Sequence, residues 1–131
     1  MPIIKKGFTL VELLIVITLM GLLAAFGTQT YLKSQQRSRD GRRQADLEAI
    51  RSALEIYRYD QSAYPATLVS LVPDYISAIA VDPQNPTRLY PYSTTGLTYI
   101  LCAGLEATTT AVAGCGSCGT GITCSYKLTN P

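Results

Sequence analysis

From Phe8 to Phe26 the chain is apolar at every position except Thr9, Glu12, Thr18 and Gly21. A run of about 20 such residues is long enough to cross a hydrocarbon core as one helix. The pattern then turns amphipathic. In ADLEAIRSALEIYRYD, Leu47, Ile50, Leu54 and Tyr57 recur at spacings of three and four, and Ala49, Ala53 and Ile56 widen the stripe. That periodicity predicts a helix with one face on a core. No proline falls between Pro2 and Pro65, and Gly41 alone costs about 1 kcal/mol in a helix interior. One long helix is therefore predicted from about residue 8 to about residue 60. Residues 8–31 form its apolar half and residues 32–60 its amphipathic continuation.

Past Asp60 the texture changes. Pro65, Pro73, Pro83 and Pro86 punctuate short apolar pieces, which predicts a packed loop with one short helix near Ala66–Val72. Strand-like runs follow at 89–93 and 97–103 around a turn at Thr95-Gly96, with a third at 122–128. The fold class predicted is α+β: a long amino-terminal helix packed on a small antiparallel sheet in a head of residues 61–131.

Charge divides unevenly along this frame. Lys5 and Lys6 precede the apolar run, and a basic collar of Lys33, Arg37, Arg39, Arg42 and Arg43 follows it against Asp40 alone. From residue 44 onward four basic residues face seven acids. A collar below a mildly acidic head is not a nucleic-acid-binding face, which spreads positive charge over the folded surface. The chain has no histidine, so the commonest general base and metal ligand are missing. No cluster of carboxylates, lysines or thiols suggests catalysis, and no cofactor or metal is expected.

Glu12 is the anomaly, since it is the only ionisable side chain between Lys6 and Tyr31. A secretory signal has a shorter, uncharged apolar core, and a plain anchor has no use for an acid. The stretch KKGFTLVELLIVI combines basic residues, Gly, Phe and Glu at fixed offsets. It resembles the class III signal of type IV pilins and of the pseudopilins of type II secretion. The likeness is close over residues 5–26, looser through RSRDGRRQADLEAIRSALEIYRYDQSAYP, and fades beyond Asp82-Pro83.

The resemblance implies that residues 1–7 are a prepilin leader. A prepilin peptidase cuts between Gly7 and Phe8, and Phe8 becomes an N-methylated amino terminus. It also implies that Glu12 drives filament assembly by compensating the new amine, its own or a neighbour's. Physically the pairing is apt. An α-amino group titrates near about 8, and a charge at the bilayer centre costs at least about 2.5–3.5 kcal/mol. Many pilins carry a proline in the second half of this segment; here Gly21 and Gly27 stand instead, which permits local unwinding without compelling it.

Cys102, Cys115, Cys118 and Cys124 all lie in the last third. A zinc site usually needs two CxxC knuckles, and only CGSC is present. A thioredoxin-like pair needs a helix start that GCGSCGTG does not offer. An exported head with a small core favours two disulfides. The expected pairing is Cys102–Cys124, joining two strand-like runs, with Cys115–Cys118 closing the loop.

The function implied is a structural subunit of a type IV pilus-like filament, serving adhesion, motility or DNA uptake. It is made as a single-pass precursor in the inner (cytoplasmic) membrane and then displayed at the cell surface as a helical homo-oligomer. Implied partners are the prepilin peptidase, the inner-membrane assembly platform with its ATPase, and minor pilins; direct nucleic-acid binding is not expected. The alternative is the major pseudopilin of a type II secretion system. That family typically binds calcium through acidic ligands in a carboxyl-terminal loop, whereas no acid follows Glu106 here. The cysteine-rich end resembles pilins instead, and on this reading the pilus is favoured.

Overall fold

Thr9 opens the long helix. Its Oγ1 accepts the N–H of Glu12 at 3.2 Å, satisfying one of the donors that a helix start leaves free. Helix α1 then spans Leu10–Gln61. It ends where Ser62 enters the left-handed region at φ 61° and donates its N–H to the Arg58 carbonyl at 2.8 Å. The computed structural model describes residues 7–130, with the helical backbone alone for residues 27–29. Apart from Gly7, the leader expected over 1–7 lies outside the described residues. The chain divides into two compact units, one up to Gln35 and one from Gln36 onward.

In the first unit every described large apolar side chain from Phe8 to Leu32 is exposed, Leu23 at 75% and Phe26 at 76%. The helix there is long and apolar enough to cross a membrane. Its backbone stays helical through Gly21 and Gly27.

In the second unit, α1 turns Leu47, Ile50, Ala53 and Leu54 onto a core shared with Tyr64, Leu71, Tyr99, Leu101 and Ala103. Each fully buried Leu or Ile contributes about 1.5–3 kcal/mol. The sheet is antiparallel in the order β1 (Tyr92–Thr94), β2 (Tyr99–Ala103), β3 (Tyr126–Thr129). Central strand β2 is covered on both faces: Tyr99, Leu101 and Ala103 meet the helix core, while Ile100 and Cys102 meet a cluster of cystines. The α+β architecture is as predicted.

Several details differ. Ala49 and Ile56, expected to widen the buried stripe, are exposed, because the core takes a narrower arc of α1. The short helix is a 3-10 turn, Leu68–Leu71. The first strand starts at Tyr92, not residue 89, since Pro91 has no N–H to give a ladder; its carbonyl accepts from Cys102 at 3.0 Å.

The expected disulfide pairing is wrong. The bonds are Cys102–Cys115 and Cys118–Cys124, with Cα separations of 5.8 and 5.1 Å. The reason is register. The third strand begins at Tyr126, four residues later than expected, and Lys127 sits opposite Cys102. Ile122–Cys124 are diverted into a turn held by the Cys118 N–H on the Ile122 carbonyl at 3.0 Å. Cys124 therefore closes on Cys118, and Cys115 reaches the strand.

Candidate functional site

The residues expected to act lie at the amino terminus. Gly7 and Phe8 sit just before α1 and are exposed, Phe8 at 79%, and nothing lies within 4 Å of where a Gly7 side chain would start. That openness suits a site a protease must reach. Glu12 lies in the first turn of α1. Thr9 and Glu12 have the T-x-x-E spacing of a capping box, with the Thr9 half of it formed. An acid at this end of a helix is favoured by the backbone dipoles. Sequence reasoning missed this second use of Glu12, although the spacing itself was the signal. Glu12 has no ion-pair partner among the described residues.

The collar holds the larger surprise. Arg43 is completely buried, in the company of Asp40 and Asp82. Its Nε and Nη2 donate to the two oxygens of Asp82 at 2.6 and 3.0 Å, a bidentate fork. Nη1 donates to Asp40 and to Glu106, each at 2.8 Å, and Nη2 also reaches Gln84 Oε1 at 3.0 Å. Arg39 forks onto Glu106 at 2.7 and 2.6 Å. Asp40 in turn accepts the backbone N–H groups of Glu106 and Ala107 at 2.8 Å each. Two guanidiniums thus meet three carboxylates, joining one turn of α1 to two loops far along the chain.

The electrostatics follow from this. Its bond to Arg39, then Arg43, outweighs burial and holds the Glu106 carboxyl down at about 2. Burial pulls the Arg43 pKa down, but its bonds to Asp82, Glu106 and Asp40 more than reverse that and leave it raised. Burial, with a 2.9 Å hydrogen bond to Asp46, pushes the Tyr90 hydroxyl up.

The collar is therefore not wholly available to partners. Arg39 and Arg43 are used internally, while Lys33, Arg37 and Arg42 remain exposed. The signal in the sequence was the Asp40–Arg43 spacing; the carboxylates of Asp82 and Glu106 gave none. The calcium that likeness to pseudopilins implies finds no fitting donors. Among the described residues no group of three or more His, Cys, Asp or Glu is arranged for a metal, and the three carboxylates that converge do so on a guanidinium. An open groove of about 410 Å³ beside Leu68, Ile79 and Leu89 has its charged members, Asp82 and Arg88, already bonded to Arg43 and to the Gly104 carbonyl.

Comparisons with known proteins agree with this geometry. A family model described as the prokaryotic N-terminal methylation motif matches residues 4–28. The chain is 32% identical over 82 residues to type II secretion system core protein G of Vibrio cholerae, covering 63% of this chain and 53% of that protein. To the protein of the same name in Klebsiella michiganensis it is 33% identical over 89 residues, covering 66% and 59%. In Escherichia coli K12 the figures are 30% over 63 residues, 48% and 43%. The chain thus spans little more than half the length of such relatives. No solved structure gives a significant match.

Proposed function

The chain belongs to the type IV pilin and pseudopilin family, and from that premise we propose that it is the major pseudopilin of a type II secretion system. It is a structural subunit rather than a catalyst. Prepilin peptidase removes residues 1–7, Phe8 is methylated, and α1 anchors the precursor in the membrane. Subunits then polymerise through α1 on an assembly platform driven by its ATPase, with minor pseudopilins as further partners. Glu12 balances the amine that cleavage creates at Phe8, so that neither charge stands alone in an apolar filament core.

One observation supports the secretion reading over a surface pilus. The likeness to secretion proteins covers 82 and 89 residues, so it continues well past the methylation motif at 4–28 into the amphipathic helix and head. The pilus reading keeps one observation of its own. The carboxyl-terminal region is held by two disulfides and offers no calcium donors.

Deleting the gene separates the two. Loss of protein secretion with surface fibres intact is the outcome expected; loss of fibres with secretion intact would assign the chain to a pilus. Within either filament, Glu12→Ala should insert and be cleaved normally yet assemble poorly, whereas Leu13→Ala should be mild. Normal filaments from the Glu12 variant would sink the charge-balance role.

A further inference from the structure

Internal pairing removes most charge from the surface of the unit that begins at Gln36. Among its described residues, only Arg37, Arg42, Asp60 and Asp74 have a charged side chain without a hydrogen-bond or ion-pair partner. The cations precede the apolar core stripe and the anions follow it. Arg42 and Asp60 are also matched in direction. Eighteen positions separate them, which is five helical turns, so they share one face of α1 about 27 Å apart. No side chain spans that gap, so they cannot satisfy each other within one chain. Between them on the same face lie Ala49 and Ile56, both exposed, Ile56 at 53%.

We propose that this face of α1 docks a second copy of the chain, parallel and staggered by about five turns, with Arg42 of one subunit on Asp60 of the next. The idea deepens the filament reading and rests on it. An antiparallel pair would also match the two charges, but its apolar segments would point in opposite directions. Single-pass subunits drawn from one membrane share a direction. The parallel stagger leaves one Arg42 and one Asp60 free at the ends, a head-to-tail contact that repeats without closing. Ile56 then lies against the neighbouring helix instead of water.

Thiol cross-linking in cells that assemble the full chain tests the stagger. All four native cysteines are in disulfides, so introduced thiols report alone. A chain carrying both Arg42→Cys and Asp60→Cys, treated with a short bismaleimide, should give a ladder of dimers, trimers and higher products. Either substitution by itself should give none. A product that stops at the dimer would overturn the parallel stagger.

Charge reversal tests the contact. Arg42→Glu or Asp60→Arg should each cut filament yield about tenfold, since like charges are brought together. The combined variant should recover to within about twofold of the original chain. Both positions are exposed and unpaired, so the thermal midpoint of the head should not move. Unchanged yields from both single reversals would overturn the contact while leaving the filament reading intact. Absence of any filament from the unaltered chain would instead overturn that reading.

Discussion

Arg43 is the residue on which the head is most sensitive. Its guanidinium is fully buried, and removing it would strand Asp40, Asp82 and Glu106 without their common cation. Breaking a buried pair from one side costs about 3–5 kcal/mol. Arg43→Met should lower stability in urea unfolding by about that much, and Arg42→Met, an exposed neighbour, by no more than about 0.5 kcal/mol. Glu106 adds a pH signature. Its folded pKa of about 2 lies below the unfolded value of about 4.3. The stability it supplies is therefore complete above about pH 5 and is lost as pH falls through 4 toward 2. Its side chain keeps a little solvent contact, so the screened contribution is on the order of 2 kcal/mol. Glu106→Gln should lose that amount at pH 7 and flatten the acid limb of the melting curve.

Helix α1 ends on a residue that dislikes its conformation. Ser62 sits at φ 61°, where an L side chain costs about 1 kcal/mol or more. Ser62→Gly should raise head stability by about 0.5–1 kcal/mol in thermal melts, and no gain would mean that the backbone is not held there in solution. The helix itself was readable because its pattern is local: Leu47, Ile50 and Leu54 announce their face at helical spacing. The outer strands were less so. Pro91 delayed β1, and the turn through Ile122 delayed β3, both set by contacts distant in the chain. The same delay misdirected the cystine assignment, because a strand four residues out of place puts Lys127, not Cys124, across from Cys102. At the amino terminus the motif KKGFTLVE was fully legible. The ionic cluster was not, since nothing in periodicity links Arg43 to Asp82 and Glu106.

For the molecule as a whole, processing and oxidation are read together from one intact mass. Protein sheared from cells should lack residues 1–7, carry one added methyl, and weigh four hydrogens less than the reduced chain. Non-reducing peptide maps should then return Cys102–Cys115 and Cys118–Cys124, and a Cys102–Cys124 peptide would refute the fold of the carboxyl-terminal turn.

A subunit in a filament is also a mechanical part. Tension entering along α1 from its amino-terminal end meets Arg39, Asp40 and Arg43 before it reaches Leu47, the first apolar residue of the core. Two forked guanidinium–carboxylate pairs thus stand guard over the core. Paired bonds of this geometry must break together rather than one after another. The ionic cluster is accordingly a strain relief: it sets the load at which a head would begin to peel from its own helix.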